Sequence, residues 1–109
     1  LTFQEQPRGA LGNQQTLGAL LPLGTTPRTR DIFADACRAR GVEVGKLSYA
    51  LHRLAPLAQY APYGEGDLAF PNASAIVDRG VALPLWPDMD EATVDRATTA
   101  IRSALIEVL

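Results

Sequence analysis

The only histidine of the chain, His52, is the residue best suited to hydrogen-bond or acid–base chemistry near neutral pH. It lies close to Tyr49 and Arg53 in a stretch that prolines and glycines keep irregular. An imidazole there could donate or accept a hydrogen bond, and the arginine could hold a phosphate or carboxylate. The alternative is a partly buried histidine that fixes its own loop. Spacing alone favours this structural alternative, since loop residues often but not usually carry function.

The only lysine, Lys46, is the one residue that could form a Schiff base with a carbonyl cofactor. A lysine in that role needs a desolvated or cation-flanked setting that makes its amine less basic. The surrounding sequence offers no glycine- and serine-rich cradle for a phosphate at a helix N-terminus. We therefore predict that Lys46 is a solvated charge at a strand end, and that this segment has no catalytic or cofactor-binding residue.

A small acidic cluster, Asp88, Asp90 and Glu91, suggests a metal site at first sight. Its position before an amphipathic run explains it better as helix-capping and helix-dipole residues, because no calcium-loop spacing or histidine accompanies it. We predict no metal site. The single cysteine, Cys37, has no partner for an intrachain disulfide. Trp86 is interpreted as a packing residue, with contact to another domain as the alternative.

Composition narrows the class of protein. The 109 residues are enough for one domain, and 47% hydrophobic with 20% charged residues is an ordinary globular balance. A net charge of −2 gives no electrostatic pull toward nucleic acid or an anionic membrane, and no apolar run approaches the roughly 20 residues of a membrane span. We predict a soluble, cytoplasmic chain without nucleic-acid or membrane partners. Its start at Leu1, without a methionine, suggests a processed chain or, more simply, a piece excised from a larger chain.

The first half of the chain predicts strand, helix and strand. Residues 1–16 are an extended lead-in with an edge strand around 1–3, and residues 17–23 are apolar on consecutive positions, as in a strand covered on both faces. A threonine N-cap and Pro27 at the first helical position start a helix that runs to about Arg40.

The apolar spacing of this first helix predicts which side chains pack. One face carries Ile32, Phe33, Ala36 and Cys37, whereas Arg30, Asp35 and Arg38 should point away. Gly41 is expected to adopt the left-handed conformation that ends a helix.

The second half contains a second strand at 42–47, an irregular loop at 48–69 and a helix–strand–helix unit at 70–109. In that unit the helices are expected at 71–79 and from 91 onward, with Asp90 as N-cap, and the strand at 81–85. These elements predict a two-layer α+β domain with three or four strands and about three helices.

Five segments in this order resemble the C-terminal part of the DegT/StrS family of pyridoxal-phosphate-dependent sugar aminotransferases. The lead-in 1–23 resembles the entry into its small domain. The others are Arg30-Asp31 through Arg40-Gly41-Val42, Tyr49-Ala50-Leu51-His52 with Pro56, Phe70-Pro71-Asn72-Ala73, and residues 81–87. Ala50 stands where the family usually has proline, and Trp86 where histidine is common.

The resemblance implies a fold, an activity and partners. The chain would be the C-terminal small domain of a fold-type I transferase, with residues 48–69 as a cleft-facing loop in which His52 and Tyr49 bind substrate. The absent large domain would bind pyridoxal phosphate (PLP), and the parent would be a homodimer. That enzyme would transfer an amino group from glutamate or glutamine to a keto-sugar nucleotide or related cyclic ketone.

Two other functions stay open at this point. One is a non-catalytic interaction or regulatory domain with the same small fold. The other is part of a PLP-dependent sugar dehydratase, because some relatives replace the lysine that holds the cofactor.

Overall fold

Four short antiparallel strands form one sheet in the part of the chain that the computed structural model describes, residues 1–13, 15–57, 59–60 and 63–109. The strands are β1 (Thr2–Phe3), β2 (Leu17–Leu20), β3 (Gly45–Lys46) and β4 (Gly80–Leu83), in the spatial order β1-β2-β4-β3. β2 and β4 form the four-residue central ladder, in which Ala19 lies opposite Val81. The edge strands β1 and β3 each pair over only two residues.

Three α-helices accompany this sheet in the described ranges: α1 (Pro27–Arg38), α2 (Pro71–Arg79) and α3 (Glu91–Val108). Both predicted N-caps are confirmed. The side chain of Thr26 accepts a hydrogen bond from the Thr29 N–H at 3.2 Å, and that of Asp90 accepts one from the Thr93 N–H at 2.7 Å. Each cap satisfies a backbone donor that the first turn of a helix leaves unpaired.

The core lies between one face of the sheet and helices α1 and α3. Alternation along β2 and β4 turns Ala19 and Val81 to this face, where they meet Phe33 and Cys37 of α1 and Ala104 of α3. Ala100 and Ala104, two small residues of α3, are buried in this core. The predicted two-layer α+β fold is confirmed, because strands and helices bury a single shared core.

Strand lengths differ from the sequence prediction. The second predicted strand, residues 42–47, pairs only at Gly45–Lys46, although Val42 and Val44 before it are buried. Apolar alternation reports burial, and these two valines are buried against α1 and the sheet without joining a ladder.

Two predictions about the faces of α1 were wrong. Arg30 was expected to point away, but only 4% of its surface is exposed, whereas Ile32 on the predicted packed face is 48% exposed. The Arg30 guanidinium donates hydrogen bonds to the Val77 carbonyl of α2 and to the Asp31 carboxylate. A long arginine stem packs as an apolar group once such acceptors receive its charged end.

An apolar groove of about 510 Å³ opens between α3 and the ends of β1 and β4. Its walls include Leu1, Phe3, Leu85, Val94 and Ile101. Several of these side chains are substantially exposed, so this side of the domain presents a continuous apolar surface. In the described residues no helix is both long enough and apolar enough to cross a bilayer.

Candidate functional site

The two predicted substrate-binding residues lie near each other in sequence but face opposite ways. Tyr49 is 75% exposed, whereas only 2% of the His52 side chain is exposed. Ala50 between them is buried, and a single turn of 3-10 helix, Leu51–Arg53, follows. Exposed and buried side chains therefore alternate along this stretch, and Tyr49 is one of the exposed ones.

The His52 ring is held on several sides. Its Nε2 atom lies 2.8 Å from Oδ1 of Asp67 and 3.0 Å from Oγ of Ser74. Its ring stacks on Phe70, with centroids 5.0 Å apart and planes inclined by 20°. These contacts join the start of the loop to its end and to α2, as the structural alternative for His52 describes.

The donors and acceptors of this cluster determine its proton positions. An ionised carboxylate only accepts hydrogen bonds, so Nε2 of His52 carries a hydrogen toward Asp67. Ser74 Oγ in turn donates to Asp67 Oδ1 at 2.9 Å or to the Phe70 carbonyl at 3.0 Å. A catalytic histidine uses one ring nitrogen to bond an aspartate and the other to accept the serine proton. Here the same nitrogen, Nε2, faces both Asp67 and Ser74, so it cannot fill both roles. The geometry is that of a structural network, not of an activated serine nucleophile.

Arg53 completes what we call the anchor network: His52, Arg53, Asp67, Ser74 and Asp78. Its Nε and Nη2 atoms lie 2.8 Å and 2.9 Å from the two oxygens of Asp67, and Nη2 also lies 3.1 Å from Oδ2 of Asp78. Two carboxylates thus neutralise this guanidinium, so it offers little net charge to a phosphate.

The network shifts the acidity of its members. Hydrogen bonds from Arg53, then from His52 and Ser74, hold the pKa of Asp67 far below its usual range. A hydrogen bond from Arg53 also lowers the pKa of Asp78, and the two carboxylates raise the pKa of the guanidinium. Both carboxyl groups therefore become protonated at a lower pH in the folded chain than in the unfolded one.

These shifts predict an acid-sensitive stability. A carboxyl group whose pKa is lower in the folded than in the unfolded chain stabilises the fold above its unfolded pKa, about 3.9, and loses that effect as the pH falls toward the folded value. We expect the free energy of unfolding, measured by urea denaturation, to fall progressively below about pH 4.

Two variants assign this acid sensitivity to the network. Asp67→Asn should flatten the decline below pH 4, because the amide does not titrate. Ser74→Ala should keep most of the decline, because Arg53 is the main cause of the shift. Identical pH profiles for Asp67→Asn and the wild type would contradict the assignment.

Asp67 and Ser74 were not predicted from the sequence. The spacing of Ser74 four residues after Phe70 is a weak local signal, because a serine in a first helical turn often bonds the carbonyl four residues back. Nothing near Asp67 marks it, since its partners His52 and Arg53 lie 15 and 14 positions earlier in the chain and Ser74 lies 7 positions later.

The remaining candidates lie apart from this network. Lys46 is exposed on the edge strand β3. Asp90 caps α3, and hydrogen bonds from Thr93 lower its pKa. Cys37 is buried in the core, and this burial raises the pKa of its thiol. Trp86 is half exposed in the connection from β4 to α3. Within the described ranges no three potential metal ligands come together.

Comparison with known proteins matches this chain to a protein family and to solved structures. A sequence profile described as the DegT/DnrJ/EryC1/StrS aminotransferase family matches residues 3–102. A solved structure from Streptococcus pneumoniae, the candidate sugar aminotransferase Spr1654 in its PMP form, matches with a TM-score of 0.63 and 16% identity. That match covers 86% of this chain but only 23% of the other chain, and at this identity it is a likeness of fold.

Proposed function

Because the chain belongs to the DegT/DnrJ/EryC1/StrS aminotransferase family, we propose that it is the small domain of a longer PLP-dependent aminotransferase. The parent enzyme would transfer an amino group from glutamate or glutamine to a keto-sugar nucleotide or a related cyclic ketone. The observation that carries the proposal is the family match over residues 3–102, nearly all of the chain. The shared fold supports it, and the 23% share of the larger relative supports the reading of residues 1–109 as one domain of a larger chain.

The cofactor is assigned to the rest of the parent because the residues of this chain do not fit it. The only lysine, Lys46, is exposed on a two-residue edge strand. It lies beside a groove whose charged lining includes Arg38, Asp35 and Glu43, and Arg38 is already paired with both of those acids. No unpaired cation in this groove is placed to receive a cofactor phosphate beside the lysine. We therefore assign no catalytic or cofactor-binding residue to this chain.

The apolar groove between α3 and the ends of β1 and β4 is suited to burial against a neighbouring domain. Its lining is mostly apolar and includes Leu1, Phe3 and Leu85. Burial of this surface would be favourable by about 25 cal/mol per Å² of apolar area. We propose that the parent's large domain covers the groove and that the parent is a cytoplasmic homodimer.

Substrate contact is proposed first for Tyr49. Its phenol is exposed and its position in the loop matches the cleft-facing segment of the family resemblance. For His52, substrate contact stays a prediction, and the near-complete burial of its ring supports the alternative in which it fixes the loop.

The function is tested on the full-length parent enzyme, purified with PLP. We expect a visible absorption band that is lost on adding glutamate and restored on adding a keto-sugar nucleotide. Loss of water from the sugar without transfer of an amino group would instead support the dehydratase. The absence of a bound cofactor would support the interaction or regulatory domain.

Tyr49→Phe should reduce kcat/KM of the parent for the keto sugar about three- to tenfold, the effect of one lost hydrogen bond of about 0.5–1.5 kcal/mol. Its melting temperature should not change, because the phenol is exposed. Tyr60→Phe, an exposed tyrosine of the same loop, is the matched control and should be neutral. Equal kinetics for the wild type and Tyr49→Phe would contradict the assignment. His52→Asn, assayed alone and in a Tyr49→Phe background, decides between its two roles. A kinetic loss of the same size in both backgrounds indicates that His52 contacts substrate itself, whereas a loss that disappears with Tyr49→Phe, or a lower melting temperature alone, indicates loop support.

A further inference from the structure

The exposed side chain of Tyr49 lies just before a short turn that has few hydrogen bonds of its own. The 3-10 turn Leu51–Arg53 is closed by two backbone hydrogen bonds, Arg53 N–H to Ala50 O at 3.1 Å and Leu54 N–H to Leu51 O at 3.0 Å. A helix of three residues has poor hydrogen-bond geometry and gains little from cooperativity. The direction in which Tyr49 projects therefore depends on tertiary contacts of this turn.

Two consecutive side chains of the turn meet on one carboxylate. His52 Nε2 and Arg53 Nε both lie 2.8 Å from Oδ1 of Asp67, and Arg53 Nη2 lies 2.9 Å from Oδ2. Asp67 lies at the far end of the loop, where Ser74 Oγ at 2.9 Å ties the same oxygen to α2. One carboxylate thus connects the start of the loop to the helix that follows it.

We propose that Asp67 is a positioning residue for Tyr49. By accepting hydrogen bonds from both His52 and Arg53, it fixes the turn that orients the tyrosine toward the substrate. This inference rests on the proposed function, since it takes Tyr49 as a substrate contact. Asp67 acts through the turn and touches neither substrate nor cofactor.

Asparagine at this position weakens these hydrogen bonds to His52 and Arg53 with little change in side-chain volume. The carboxylate accepts from His52 and from Arg53 on one oxygen, and from Arg53 on the other. An amide has one accepting oxygen, and its NH₂ group would face a donor. Asp67→Asn therefore loses at least one contact to the turn, whichever way the amide is placed.

The experiment compares Asp67→Asn with the wild type in the full-length parent enzyme. We expect KM for the keto sugar to rise about three- to tenfold, by no more than Tyr49→Phe lowers kcat/KM, with kcat within twofold. In a Tyr49→Phe background the same substitution should change KM less than twofold, because the hydroxyl contact to substrate that Asp67 positions is already lost. Asp95→Asn, at an exposed aspartate of α3 outside the ion pairs of the described residues, is the matched control and should leave KM unchanged.

A second measurement, hydrogen exchange of the full-length protein, tests the turn itself. Asp67→Asn should speed exchange of the Arg53 and Leu54 amides about tenfold or more, whereas exchange within α3 should stay as in the wild type. An unchanged rate at these two amides overturns the proposal, and so does a KM effect of equal size in both Tyr49 backgrounds. A wild-type enzyme without amino transfer overturns the proposed function, and with it the aiming of Tyr49 at a sugar, whereas the exchange rates still report whether Asp67 holds the turn.

Discussion

Phe33→Ala is expected to lower the free energy of unfolding by about 3–5 kcal/mol, as large-to-small substitutions at fully buried aromatic sites do. Phe33 lies in α1 with no exposed surface and is the largest of the fully buried side chains among the described residues. It packs in the cluster that joins β2, β4 and α3. Because domains of this size are stable by only about 5–15 kcal/mol, the variant should lie near the threshold of folding.

Urea denaturation at pH 7 measures this effect, and the neighbouring residue supplies the control. Ile32→Ala removes a large apolar side chain from the same helix, but Ile32 is about half exposed. We expect a loss of less than about 1 kcal/mol there, since part of its surface is already in water. Equal losses for the two variants would show that the core does not lie between α1 and the sheet.

Gly80→Ala is expected to destabilise the chain by about 1–3 kcal/mol through overpacking. Gly80 ends α2 and begins β4, and a Cβ there would lie 2.9 Å from the Cβ of Leu47 and inside van der Waals contact with the Ile76 carbonyl. The Ile76 carbonyl accepts the hydrogen bond from the Gly80 N–H that ends α2. Backbone atoms held this way cannot yield as the tip of a flexible side chain can.

Gly45→Ala is the matched control for this glycine. Gly45 lies in β3, next to β4, and an added Cβ would meet only the Cβ of Ala82, at 3.9 Å, an ordinary contact distance. We expect its free energy of unfolding to change by less than about 0.5 kcal/mol. Thermal or urea unfolding of both variants is the measurement. A Gly80→Ala protein as stable as Gly45→Ala would mean that α2 and β4 meet differently.

Local features of this protein were predictable from the sequence because they depend on residues close in the chain. Thr26 with Pro27, and Asp90 before α3, place the helix starts through contacts within one turn. Gly41 has the left-handed φ of +77° expected after α1. The family resemblance also rests on short motifs in order, and the match over residues 3–102 confirms it.

Side-chain partners across the fold were not predictable in the same way. Arg30 was expected outside, yet its acceptor Val77 lies 47 positions later in the chain. Helical periodicity identifies the packed face of a helix. It does not reveal whether the carbonyl of a distant residue lies beside that helix and can accept a hydrogen bond from a charged side chain. Burial of Arg30 became clear only when α1 and α2 were placed side by side.

The candidate site shows the same division. The sequence by itself determined the α+β class, the helix ends, the family and the irregular loop with Tyr49 and His52. Only the tertiary structure decided that Tyr49 faces outward while His52 turns inward to Asp67 and Ser74, 15 and 22 positions away. The physical reason is that helix caps and turns depend on hydrogen bonds within a few residues, whereas the direction of a loop side chain depends on which distant donors and acceptors the folded chain brings within 3 Å.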